Sequence, residues 1–167
     1  MTLNDKNSSA NRRTFLGAVG LAAIGLVTLR WPTRTFAATF PVRHSDAEWR
    51  KLLGGRRYAI LRKAGTEVSF TTPLNQEHRK GTFACAGCAL PLFASDTKFE
   101  SGTGWPSFYQ PIEGNVGKTE DRAYGMVRTE VHCRRCGGHL GHVFNDGPGP
   151  TGLRYCINSA ALKLEPR

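Results

Sequence analysis

The chain has 167 residues, of which 40% are apolar and 22% charged, with 23 Lys and Arg against 13 Asp and Glu. This balance suits one ordinary globular domain and excludes intrinsic disorder and a collagen-like fibre. No apolar run reaches the ~20 uninterrupted residues of a spanning helix, which excludes a multi-pass membrane protein.

Residues 1–37 differ in kind from the rest. Met1 to Asn11 is polar, Arg12 and Arg13 follow, and Thr14 to Leu29 is an uncharged apolar run that ends a few residues before the small pair Ala37-Ala38. Charge, apolar stretch and small residues are the three parts of a secretory signal. The segment Asn11-Arg12-Arg13-Thr14-Phe15-Leu16 resembles the twin-arginine motif that sends folded proteins across the bacterial inner membrane. The expectation is a cut after Ala37, a periplasmic mature chain of residues 38–167 and membrane contact during export only, with retention of the apolar run as an anchor the alternative. The mature part carries 18 basic against 12 acidic residues. Its cations come in scattered pairs such as Arg56-Arg57, Arg79-Lys80 and Arg134-Arg135. A stripe of cations would point to nucleic acid; scattered pairs read as solvated surface, so no nucleic-acid partner is expected.

Ser45-Asp46-Ala47-Glu48 fits a capping box ahead of Trp49, Leu52 and Leu53, which predicts a short helix from Asp46 to Leu53. After Gly54-Gly55, the residues Tyr58, Ile60 and Leu61 before Gly65 predict a second helical segment of about two turns. Beyond Gly65 the helical period is lost. Short β-type runs bounded by turn residues take over at Thr82–Ala84, Leu90–Phe93, Tyr124–His132, Leu140–Phe144 and Leu153–Asn158. The predicted class is mainly β: a compact domain of antiparallel strands with short N-terminal helices.

Cysteine spacing is the sharpest chemical signal. Cys85-Ala86-Gly87-Cys88 and Cys133-Arg134-Arg135-Cys136 are two C-x-x-C pairs, the arrangement of a tetrahedral four-thiolate zinc site that would pin two distant hairpins together. Disulfides are the alternative in an exported chain. A thioredoxin-like role for the pairs needs a βαβ context that is missing.

Cys156 is then left over. If Leu153–Asn158 is a strand, Leu153, Tyr155 and Ile157 face the core while Arg154, Cys156 and Asn158 share the other face. A neighbouring cation favours the reactive thiolate. His139 and His142 follow the second cysteine pair and could move protons near neutral pH. In a regular strand they point to opposite faces, so both reach one site only if Gly141 marks a bulge or His139 lies outside the strand.

Three blocks carry a family resemblance: Lys98-Phe99-Glu100-Ser101-Gly102-Thr103-Gly104-Trp105-Pro106-Ser107-Phe108, Gly137 to Phe144, and Gly152 to Ser159. With the two cysteine pairs, they resemble type B methionine sulfoxide reductases from about Ser45 to Leu164. The resemblance implies two small antiparallel sheets and reduction of the R epimer of methionine sulfoxide in proteins and peptides, since the two epimers have separate enzymes. It also implies one structural zinc on Cys85, Cys88, Cys133 and Cys136, and a monomer. By the same resemblance Cys156 is the nucleophile. His139, His142 and Asn158 line the site and help protonate the departing oxygen, with His142 as the acid, Trp105 packs against the sulfoxide methyl, and Arg154 favours the thiolate. Many members carry a resolving cysteine two residues before the tryptophan, where this chain has Thr103. The implied reductant is therefore an external thiol such as a thioredoxin-like protein. The competing classes are a zinc-ribbon-like binding module and a thiol oxidoreductase working through its C-x-x-C pairs.

Overall fold

The computed structural model describes residues 39–167; the expected export signal lies outside the described residues. Among the described residues no helix is long and apolar enough to cross a membrane. Helix α1 spans Asp46–Lys63 and opens with the predicted capping box. The Ser45 backbone N–H donates to Glu48 Oε2 at 2.7 Å, and the Glu48 N–H donates to Ser45 Oγ at 3.3 Å. Gly54, at φ 67°, breaks the helix into the two expected segments, because only glycine takes that left-handed geometry without steric cost. Trp49, Leu53, Tyr58, Ile60 and Leu61 form the buried stripe.

Nine strands follow. β1 (Gly81–Cys85), β2 (Pro91–Ala94) and β9 (Leu162–Pro166) make a three-stranded sheet in the order β2-β1-β9. β3 (Lys98–Phe99), β4 (Ser107–Phe108), β5 (Val116–Asp121), β6 (Arg128–Cys133), β7 (His139–Phe144) and β8 (Arg154–Ile157) make the second sheet, in the order β3-β4-β8-β7-β6-β5. Each strand pair is antiparallel. Aromatic rings join the two sheets. Phe93 of the small sheet stacks on Phe108 of the large one at 4.4 Å between centroids, and Phe83 meets the same ring edge-on at 5.0 Å, geometries that add to plain area burial.

The strand pattern departs from the expectation at the start of β6 and in four unpredicted strands. The apolar stretch from Tyr124 is not strand at its start: Ala123–Gly125 forms a 3₁₀ turn, held by the Ala123 N–H on Asp121 Oδ1 at 2.9 Å, and β6 begins only at Arg128. β3, β4, β5 and β9 all lie outside the predicted runs. β5 reads Val-Gly-Lys-Thr-Glu-Asp because it is a sheet edge, and edge strands are charged to resist further pairing.

β7 carries the feature that positions the site. Val131 pairs with Gly141 and His132 with His139, so Leu140 is an extra residue in the ladder, which is a β-bulge. The extra residue shifts the alternation. Leu140 points into the core, while His139 and His142 come to one face with ring centroids 5.5 Å apart. Gly141 admits the close approach of β8, since a Cβ there would lie 2.1 Å from the carbonyl oxygen of Cys156. Gly141→Ala should therefore destabilise the domain by about 1–3 kcal/mol through overpacking. A fall in the denaturant midpoint checks this, and an unchanged midpoint would show that β7 and β8 can part freely.

Candidate active site and metal centre

The two cysteine pairs sit in the turns that follow β1 and β6, and their four sulfurs lie within 4.8 Å of one another. Cys85 and Cys136 are 3.7 Å apart, Cys88 and Cys133 3.5 Å. A tetrahedron with zinc–sulfur bonds of ~2.3 Å has edges of roughly 3.8 Å, whereas a disulfide bond is ~2.05 Å. The donor set therefore fits a metal ion, and all five cysteines are free. Two cations brace the turns. Arg135 donates to the Cys88 carbonyl at 3.1 Å, and Arg62, lying over the Trp49 ring, donates to the Cys136 carbonyl at 3.0 Å. Four thiolates around a dication leave net negative charge, which these guanidinium groups oppose.

Cys156 lies on β8, directly opposite Ser107 of β4 on one side and His142 of β7 on the other. Its face is the predicted one, with Tyr155 and Ile157 buried on the core side. Thr103 Oγ1 is 3.8 Å from the Cys156 sulfur. Behind it runs a chain of hydroxyls, Ser101 contacting Thr103 at 2.8 Å and the fully buried Ser107 at 2.7 Å. Burial pushes the Cys156 thiol above its ordinary pKa, against smaller opposing pulls from the Thr103 hydroxyl and the Arg154 charge. Arg154 thus acts in the expected direction without prevailing. Its guanidinium forms a two-pronged pair with Asp146, at 2.9 and 2.8 Å, and lies over the Phe144 ring.

A cavity of about 230 Å³ opens over Cys156 and is lined by Trp105, Arg128, His142, Phe144 and Asn158 among others. His139 stands behind this wall, buried, with Nδ1 on Glu130 at 2.7 Å and Nε2 without a partner. His142 places Nε2 on Asp121 at 2.8 Å, and Arg128 pairs with the same carboxylate at 2.6 Å. Burial holds the His142 pKa down, partly offset by the Asp121 hydrogen bond. Asp121 itself is held at about 2, chiefly by the Ala123 N–H and then by His142, and so stays charged. Asn158 sits just beyond the strand; Oδ1 accepts the Glu67 N–H and Nδ2 donates to the Leu140 carbonyl, each at 3.0 Å. Both ends of its amide are committed to backbone. A larger surface groove of about 670 Å³, beside Arg57 and Lys163, holds neither a cysteine nor a histidine.

This geometry agrees with the comparisons. The SelR domain family model matches residues 53–166. The chain belongs to the MsrB family. It is 59% identical over 127 residues to a protein of Leptospira interrogans named peptide methionine sulfoxide reductase MsrB, covering 75% of this chain and 97% of that one. A protein of the same name from Bradyrhizobium diazoefficiens is 59% identical over 124 residues, 74% of this chain and 89% of its own length. One from Pseudomonas putida is 57% identical over 121 residues, 72% and 91%.

Four site residues of this MsrB-family chain carried no signal in the sequence. Asp121, Arg128 and Glu130 are the partners just described. Glu67 is the fourth: its buried carboxylate accepts the N–H of Ser159 and, at 3.1 Å, that of Ala160, while its carbonyl accepts the Trp105 indole N–H at 3.1 Å. Each is a single acid or cation with no motif around it, recognisable only once the sheet register is known. Among the metal ligands, Cys88→Ser should lower metal affinity at least about tenfold and reduce stability in step with it. Elemental analysis beside an unfolding curve checks this; metal loss without loss of stability would show that the cluster does not support the fold.

Proposed function

We propose that the chain reduces the R epimer of methionine sulfoxide in peptides and proteins, with Cys156 as the nucleophile. The observation that carries this reading is the cross-strand alignment of His142, Cys156 and Ser107 beneath a side-chain-sized cavity walled by Trp105, in a chain of the MsrB family. The indole, fixed by the Glu67 carbonyl, offers an apolar face for the sulfoxide methyl.

The chemistry follows from the resting charges. Burial favours a neutral thiol and a neutral imidazole. Cys156 Sγ attacks the sulfoxide sulfur as its proton passes to His142, whose Nε2 side is held by the Asp121 carboxylate. The new imidazolium gives that proton to the sulfoxide oxygen, which makes the oxygen a leaving group. The oxygen departs as hydroxide and leaves Cys156 Sγ bonded to the now cationic methionine sulfur. Hydroxide then adds to Sγ, and the Sγ–S bond breaks with its electron pair on the methionine sulfur. The products are methionine and a Cys156 sulfenic acid. Asn158 and His139 position the wall through which this transfer runs, and Arg154 steadies the charge that forms on Cys156. Cys85, Cys88, Cys133 and Cys136 would hold one zinc, which would supply a structural clamp rather than a reacting centre.

Regeneration falls to an external thiol, such as a thioredoxin-like protein. Thr103 faces the Cys156 sulfur where a resolving cysteine would stand, and the other four cysteines are gathered in the metal cluster. One thiol forms a mixed disulfide with release of water, and a second frees Cys156. The protein acts as a monomer on exported proteins, brought to the periplasm by residues 1–37.

Separated R and S sulfoxides of a small methionine derivative test the chemistry. The R form should be consumed alone, and Cys156→Ser should cut turnover by ~10³ or more while leaving metal content intact. After one turnover without reductant, mass spectrometry should find one added oxygen on the Cys156 peptide. An intramolecular disulfide with metal release would assign the resolving role to a ligand cysteine. Export is tested by replacing Arg12 and Arg13 with Lys, which should hold the precursor in the cytoplasm; unchanged delivery would point to the general secretion route.

A further inference from the structure

Six large apolar side chains stand exposed among the described residues, and five of them, Val68, Phe70, Tyr124, Met126 and Val127, fall on two loops. Both loops brace the wall of the Cys156 cavity. The first, after α1, supplies Thr66 to that wall, holds the Trp105 indole through Glu67, and ties to Gly104 by the Phe70 N–H at 2.9 Å. The second joins β5 to β6, between Asp121, which is bonded to His142, and Arg128, which lines the cavity. Each loop holds an aromatic residue in left-handed backbone geometry, Phe70 at φ 62° and Tyr124 at φ 57°. Such geometry is unfavourable for a bulky side chain and clusters at functional sites. Burial does not offset it here, since Phe70 is 67% and Tyr124 89% exposed.

We propose that the two loops form an apolar rim that binds an extended polypeptide segment whose residues beside the methionine sulfoxide are themselves apolar. This rests on the reductase reading of the Cys156 site. A cavity of about 230 Å³ takes one side chain, so the rest of a protein substrate has to cross its mouth. Successive residues of an extended chain advance by ~3.3–3.6 Å, which carries the neighbours of the bound residue outward over the loops. The loop's charged side chains are paired with one another, Arg122 with Glu120 and Arg128 with Asp121. Recognition at the rim is therefore by apolar contact rather than by charge. Methionine is a core residue, and its sulfoxide is polar enough to disrupt packing. A sulfoxide with apolar neighbours marks a core segment that damage has loosened, and the rim selects that class of substrate over a sulfoxide on an ordinary polar surface.

Kinetics on three R-sulfoxide substrates test the rim: N-acetylmethionine sulfoxide amide, a pentapeptide with Leu and Phe flanking the sulfoxide, and one with Ser and Gly flanking it. The protein should favour the apolar peptide over the polar one by about tenfold in kcat/KM, mostly through KM, the scale of partly burying one apolar side chain. The triple variant Val68→Ser, Tyr124→Asn, Val127→Ser should bring the two peptides within about twofold, with the small amide unaffected, because Asn tolerates the left-handed geometry of Tyr124 and the two serines replace exposed groups. Phe70 is kept because its ring also packs against Gly104. Turnover of the small amide without peptide discrimination, or discrimination that survives in the variant, overturns the rim alone. So does a dimer of the parent protein that the variant abolishes while discrimination stays, since the rim would then be a contact between copies. No turnover even of the small amide overturns the reductase reading and the rim with it.

Discussion

The site depends on one extra residue in one strand. A β-strand alternates its side chains strictly, so His139 and His142, three apart, belong on opposite faces until an inserted residue changes the count. Leu140 is that residue. It occupies the core position that His139 would otherwise take, and it brings both imidazoles to the thiol's side of the sheet. The adjoining glycine sets how near the imidazole-bearing strand comes to the thiol-bearing one, since any side chain at Gly141 would strike the Cys156 carbonyl. The carboxylates then follow from the register. Glu130 pairs across from His142 and reaches His139, while Asp121, at the far end of β5, reaches His142. A two-strand arrangement of thiol and imidazole becomes a four-strand network without any further irregularity.

Two anchors hold that network still. Glu67, a buried carboxylate, caps the 3₁₀ turn after β8 through the N–H groups of Ser159 and Ala160, and its own backbone engages Trp105 and Asn158. One residue thereby fixes the pocket wall, the amide at its edge and the end of β8 to the loop that follows α1. Buried acids carry a desolvation penalty unless they are well bonded, and this one is bonded at both oxygens and faces Arg56. The second anchor is the cysteine cluster. Its knuckles follow β1 and β6, so an ion there clamps the small sheet to the large one. β6 ends in Cys133 and carries Glu130 three residues earlier, which links the rigidity of the metal centre directly to the partner of His139.

Much of this was legible in the sequence, and the reasons are local. The capping box at Ser45, the break at Gly54, the two knuckles and the exposed face of Cys156 each rest on a few adjacent residues with a defined geometry. The bulge was legible only as a condition, because residue spacing says that two histidines need it without saying that they have it. Tyr124 to Val127 misled for a physical reason. Apolar, β-prone residues normally mean a buried strand, and here they are exposed on a loop. The edge strand β5 hid behind its own charges. Asp121, Glu130 and Glu67 could not be singled out, since their roles come from pairings across strands or with a distant turn. For Asn158 the strand pattern extended one residue too far, and the side chain, buried just past the strand end, serves backbone rather than solvent.

The charge state of the resting site sets it apart from a thiolate–imidazolium pair. Burial raises the Cys156 thiol and depresses His142, so both are biased toward their neutral forms. A thiolate is the species that oxidants attack, and an enzyme that repairs oxidative damage works where oxidants are present. In the proposed reaction, a Cys156 that stays protonated until a sulfoxide oxygen arrives to receive the proton ties reactivity to occupancy of the pocket. The groups that favour ionisation, Thr103, Arg154 and the Asp121 carboxylate behind His142, are already in place, so little has to reorganise when the charge forms. Arg154 illustrates the balance. Its guanidinium is paired with Asp146, and its pull on the Cys156 thiol is smaller than the opposing effect of burial.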